Sequence, residues 1–133
     1  MSDILPRIHV VDDDPSVLLA LKRLLTSWGM QVQTFASGEN FLAALKRPQD
    51  VDCFVIDVQM PEMTGLEVQE QMNRLDIDVP VIFITAHEEE GVEELALRAG
   101  AVGFLRKPFT DEALVGLIRI AMKCQRKSET QET

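Results

Sequence analysis

Three short stretches of the chain, RIHVV (7–11), CFVID (53–57) and VIFIT (81–85), are nearly unbroken apolar runs. A strand with one wet face alternates apolar and polar residues, so runs of this kind demand burial on both faces, as in a parallel sheet covered by helices on either side. VQTFA (32–36) and VGFL (102–105) read as two further strands. Parallel neighbours cannot be joined by a tight hairpin, so each joining segment must be a crossover, usually helical.

The joining segments carry that pattern. Val17, Leu18, Leu21, Leu24, Leu25 and Trp28 form one apolar stripe at helical spacing, which places Trp28 in the core, and Gly29 follows as a stop signal. Shorter stripes follow at Phe41, Leu42 and Leu45 (ended by Pro48), at Leu66, Val68, Met72 and Leu75 (after Gly65), and at Val92, Leu95, Ala96 and Ala99 (ended by Gly100). The last comprises Leu114, Leu117, Ile118 and Ala121, with Asp111 and Glu112 at its start and Lys123 near its end, where they suit the helix dipole. The expected fold class is therefore α/β: a doubly wound five-stranded parallel sheet of order 2-1-3-4-5 with five helices and right-handed crossovers. The polar end KCQRKSETQET is expected to fray, giving a domain over 1–124 and a polar tail or linker start over 125–133.

The 133 residues, 46% of them apolar, suit a single core. A net charge of −9 argues against a general attraction for nucleic acid or anionic membrane, since both require clustered Lys and Arg. No apolar run is long enough to span a bilayer, and MSDILPRIH lacks the apolar stretch of a signal peptide. Cys53 and Cys124 have no partner at metal-binding spacing, so both read as buried thiols suited to a reducing cytoplasm. Met60, Met63 and Met72 read as packing or loop residues.

In open α/β sheets the ligand site lies beyond the carboxyl ends of the strands, where strand order reverses. Here that point falls between the first strand, ending at Asp12 and Asp13, and the third, ending at Asp57. Thr85 ends the fourth strand and Lys107 follows the fifth, on the same rim. Clustered carboxylates repel unless a cation bridges them. Oxygen ligands without His or Cys point to Mg²⁺, with Mn²⁺ and Ca²⁺ as lesser choices. A lysine and a hydroxyl nearby suit phosphoryl oxygens, and an aspartate so placed can become an acyl phosphate.

With Asp12/Asp13, VIDVQMPEMTGLE around Asp57, ITA at 84–86 and KPF at 107–109, the chain resembles the receiver (CheY-like) domain of two-component response regulators over about residues 7–124. DVQMPEMTG, ITAH and AGAVGFLRKPF are most similar to the FixJ-type subfamily. The resemblance implies a phosphoacceptor switch rather than an enzyme, with Asp57 taking a phosphoryl group from a sensor histidine kinase. It implies Mg²⁺ on Asp13, Asp57 and the Gln59 main-chain carbonyl, assisted by Asp12, with Thr85 and Lys107 contacting the phosphoryl group. It further implies a cis Lys107–Pro108 bond and a switch in which Thr85 moves and Phe104 turns inward, the chain having no Tyr. Gln59 and His87 stand where the family tunes phosphoryl lifetime. The surface read by partners would be the fourth helix, beginning HEEEGVEE, with the fifth strand and the fifth helix, which carries Arg119 and Lys123. Opposite charges there would favour a phosphorylation-dependent homodimer controlling a transcription-regulating output domain, with no DNA contact by this segment.

Two rivals share parts of this pattern. A Mg²⁺-dependent aspartyl phosphatase or phosphotransferase of the haloacid-dehalogenase type would use Asp12 as nucleophile in the D-x-D of Asp12–Asp14, leaving Asp57 without a role. A flavin-binding module would need a hydroxyl-rich phosphate loop where the three aspartates stand. Asp14 separates from the other two: it precedes Pro15, a residue favoured at the first helical position, and reads as a helix N-cap.

Overall fold

The computed structural model describes residues 5–45, 50–86 and 90–132, with side chains described through Lys123. Five strands, β1 (Arg7–Val11), β2 (Gln31–Phe35), β3 (Cys53–Asp57), β4 (Val81–Thr85) and β5 (Gly103–Arg106), alternate with α1 (Pro15–Ser27), α2 (Gly38–Ala44), α3 (Gly65–Arg74), α4 (Val92–Arg98) and α5 (Asp111–Glu132). All pairings are parallel, in the order β2-β1-β3-β4-β5. The expected fold class is the one observed, with β2 and β5 each displaced by one residue from the segments read as strands.

The unbroken runs are buried on both faces, as that pattern requires: every residue of β3 and β4 is buried. On one face Val11, Phe54, Ile56 and Phe83 pack with Phe41 of α2, Val68 and Met72 of α3, and Ala96 of α4. On the other, Ile8, Val10, Val55 and Ile84 pack with Leu21 and Leu25 of α1, and Leu114 and Ile118 of α5. Each fully buried Leu, Ile or Phe contributes about 1.5–3 kcal/mol relative to exposure, so these two layers account for the rigidity of the strand ends they carry. Met60 and Met72 are buried and Met63 is partly buried, so the methionines are packing residues. Cys53 is a buried free thiol, pushed up to about 12 chiefly by burial, while the Cys124 side chain lies outside the described residues.

His9 interrupts the first apolar run yet is 4% exposed. Its ring lies 5.2 Å from Phe35 and 5.8 Å from Phe54, and its Nδ1 has no hydrogen-bond partner among the described residues. Burial lowers its pKa, so the ring is carried as a neutral aromatic.

Asp14 is the N-cap of α1: its side chain accepts the Ser16 N–H at 2.8 Å, with Pro15 in the first turn. The Asp14→Ala variant should therefore lose about 1 kcal/mol of unfolding free energy in urea melts. Asp13→Ala leaves that cap intact, and equal losses in the two variants would contradict the division of the aspartate run.

Some expectations fail at the periphery. Trp28 is 38% exposed rather than core, and its ring carries the Arg119 guanidinium at 5.6 Å. It is the C-cap residue of α1, where the helix has run out of sheet to cover. Leu75 and Leu95, counted in apolar stripes, are 57% exposed each, because α3 and α4 bury only a narrow side on the sheet. α4 begins at Val92, with Gly91 as N-cap, five residues into HEEEGVEE rather than at its head, and residues 87–89 of that segment lie outside the described residues. α5 runs on to Glu132 where a frayed tail is expected, so Lys123 stands inside the helix rather than near its end.

Candidate functional site

The register of the central strands levels their ends: Val11 pairs with Ile56, and Asp57 with Ile84. Asp12, one residue beyond β1, and Asp57, the last of β3, are thus brought to the same rim. One carboxylate oxygen from each of Asp12, Asp13 and Asp57 lies within 4.8 Å of the others. Asp12 is fully buried and Asp57 is 5% exposed, while Asp13 faces solvent.

The two partners of Asp12 hold both its oxygens. Oδ1 accepts the Asp14 N–H at 2.9 Å, and Oδ2 accepts from Lys107 Nζ at 2.8 Å. Lys107 also reaches Asp57 Oδ1 at 3.8 Å, so one ammonium lies between two buried carboxylates. It is placed there by β5 and by its own N–H, which donates to the Thr85 carbonyl at 2.7 Å. Thr85 ends β4 and is 1% exposed.

Asp57 is the perturbed group. Burial and repulsion from Asp12 push its carboxyl from 3.8 up to about 6, against the pull of Lys107 and a backbone hydrogen bond from Gln59. A divalent cation among these oxygens would relieve that repulsion, and the all-oxygen donor set fits a hard cation such as Mg²⁺.

The structure brings Asp12, Asp13, Asp57 and Lys107 together, with Thr85 tied to Lys107 through the main chain and Gln59 donating to Asp57. The Lys107–Pro108 bond is cis, as the resemblance implies. Phe104 lies on β5, half-buried against the α2–α4 side of the core. His87 lies outside the described residues.

One residue that carries the site escapes the sequence reading. A Cβ on Gly65 would stand 2.5 Å from the Asp57 carbonyl oxygen and 3.0 Å from both the Phe83 ring and Val58 Cα. Its N–H donates to the Val58 carbonyl at 2.8 Å, so the start of α3 is laid directly on the end of β3. Thr64 closes a capping box with Glu67 just before it, and that T-G-x-E pattern is the available signal.

The open doubly wound sheet thus brings three carboxylates and a lysine together at its switch point. The profile of the response regulator receiver domain matches residues 8–119. The response regulator protein TodT of Pseudomonas putida is 44% identical over 123 residues, covering 92% of this chain and 54% of that protein. The transcriptional regulatory protein FixJ of Azorhizobium caulinodans is 36% identical over 132 residues, covering 99% of this chain and 62% of that protein. The crystal structure of FixJ-N superposes with a TM-score of 0.83 at 35% identity, over 92% of this chain and 96% of that one. The chain belongs to the response regulator receiver family, the phosphoacceptor part of two-component signalling proteins, and within it is FixJ-like. It spans about half the length of the TodT proteins it matches. A haloacid-dehalogenase-type enzyme is not favoured, since its would-be nucleophile, Asp12, is fully buried with both oxygens engaged. No described helix is long and apolar enough to cross a membrane.

Proposed function

We propose that residues 1–124 act as a cytoplasmic phosphoacceptor domain in which Asp57 attacks the phosphorus of a sensor kinase's phosphohistidine and becomes an acyl phosphate. The observation that carries this is the convergence of the three carboxylates within 4.8 Å, with Lys107 against Asp57. Asp12, Asp13, Asp57 and the Gln59 carbonyl would hold Mg²⁺. The bound ion would supply charge neutralisation for the transferring phosphoryl group. Lys107 would hold one phosphoryl oxygen and the Thr85 hydroxyl another. Gln59 and His87 would set how readily water reaches the acyl phosphate. The acceptor would promote its own phosphorylation and dephosphorylation, as a switch rather than an enzyme.

The response would travel through Thr85 and Phe104 to the face of α4, β5 and α5. TodT is named a response regulator and FixJ a transcriptional regulatory protein. By analogy, this domain would control an output domain that regulates transcription, with no DNA contact of its own, through a phosphorylation-dependent dimer. Glu93 and Glu94 of α4 already pair with Arg106 and Arg98, and Arg119 of α5 sits on Trp28. These charges are thus engaged within the domain, which weakens charge pairing between helices as the basis of the dimer.

With acetyl phosphate, we expect labelling that requires Mg²⁺, stops in EDTA and falls at least about tenfold in Asp13→Ala. Sedimentation of the labelled domain should show dimers. Labelling unchanged by EDTA would overturn the metal assignment, and a labelled monomer would overturn the dimer.

A further inference from the structure

We propose that Arg106 is a positioning residue for the switch: it holds Phe104 in its unphosphorylated placement and so sets how readily the domain adopts the phosphorylated conformation. This rests on the acceptor reading above and on Phe104 as its gate.

Residues two apart on a strand share a face, so Phe104 and Arg106 both point toward the α4 side of the sheet. Register places Phe104 opposite Phe83, and Arg106 opposite Thr85 at the site itself. The Arg106 guanidinium carbon lies 5.8 Å from the centroid of the Phe104 ring, within range of a cation–π contact. Its Nη2 donates to Glu93 Oε1 at 3.1 Å, in the first turn of α4. That ion pair is half-exposed on both sides, at 50% and 44%, and contributes little stability by itself. Its effect is geometric. Glu93 ties the guanidinium to α4 while the guanidinium lies over Phe104, so Arg106 acts as a pin between α4 and β5.

On this proposal the Arg106–Phe104 contact belongs to the resting placement of the ring and is given up when Phe104 turns inward. The contact therefore favours the resting state only, and an interaction made in one of two states shifts their ratio by its full strength. A cation–π contact at a half-exposed site corresponds to a shift of about two- to fivefold. Removing a positive charge near an anion site works in the opposite direction, because it weakens anion binding. Tighter binding of a phosphoryl mimic after loss of Arg106 therefore cannot come from the charge.

The test is a titration of BeF₃⁻ with Mg²⁺, followed by fluorine NMR, on wild type, Arg106→Ala, Arg106→Lys, Phe104→Ala and the Arg106→Ala/Phe104→Ala double variant. Arg106→Ala should bind BeF₃⁻ about two- to fivefold more tightly than wild type. Arg106→Lys, which keeps a cation over the ring, should lie between the two. In the Phe104→Ala background the Arg106→Ala effect should vanish, which a general structural role would not produce. Unchanged or weaker binding in Arg106→Ala, or an effect that persists without Phe104, overturns the pin while leaving the acceptor reading intact. Failure of the wild type to bind BeF₃⁻ overturns both.

Discussion

Asp57→Asn is expected to abolish labelling by acetyl phosphate and, in EDTA at pH 7, to make the domain more stable than wild type. Loss of the nucleophilic carboxylate removes the acyl phosphate outright. The gain in stability follows from the site's electrostatics. Asp57 is 5% exposed, and burial with repulsion from Asp12 raises its carboxyl from 3.8 to about 6. A raised acid binds its proton more tightly in the folded state, so folding is favoured while that proton is on. This contribution is complete below pH 3.8, is lost as pH rises from there to about 6, and stays lost at pH 7. The shift corresponds to about 3 kcal/mol. Solvent reaching the open mouth of the site screens part of it, leaving an expected gain of about 1–2 kcal/mol for the neutral amide at pH 7. Lys107 keeps its 2.8 Å partner Asp12, so it is not stranded by the change. In urea melts the gain should shrink as pH falls toward 4, and Mg²⁺ should stabilise wild type more than the variant. A less stable Asn variant at pH 7, or a gain independent of pH, would show that the carboxylates are not strained against one another.

Gly65→Ala should lose about 2–3 kcal/mol of unfolding free energy and label more slowly, although residue 65 offers no ligand atom. The added methyl would meet the Asp57 carbonyl at 2.5 Å and Val58 Cα at 3.0 Å, and both are backbone atoms that cannot rotate away. Relief must come from shifting α3 off β3, which moves the end of β3 at Asp57 and the loop carrying Gln59. Gly116→Ala is the matched control. It lies inside α5 with nothing within 4 Å of the new carbon. A helical glycine replaced by alanine gains about 0.5–1 kcal/mol, and labelling should not change. If Gly65→Ala melts and labels like wild type, the close approach does not position the acceptor.

The sheet was legible because burial on both faces leaves an unbroken apolar run, and such runs mark β1, β3 and β4 directly. The rim was legible through topology: once the strand order was set, Asp12, Asp13, Asp57 and Lys107 had to meet. What escaped depends on contacts that no periodicity records. Gly65 is required by backbone approaching from β3, and a glycine in sequence does not say what lies 2.5 Å from it. His9 looks like a break in an apolar run, yet three phenylalanines surround it and it packs as one more ring. Trp28 continues the stripe of α1 beyond the sheet it would cover. The extension of α5 lies in QRKSETQE, whose Gln, Arg, Lys and Glu suit a helix but carry no apolar stripe to reveal one. Arg106 and Glu93 gained meaning only when α4 and β5 were seen side by side.

Where the phosphoryl group lands decides between Asp57 and Asp12 as the acceptor. The domain, labelled with acetyl phosphate and Mg²⁺, can be trapped with borohydride and its modified residue mapped by mass spectrometry. The modification is expected on Asp57 alone. Modification of Asp12 instead, or equal labelling when Asp57 is replaced by Asn, would contradict it.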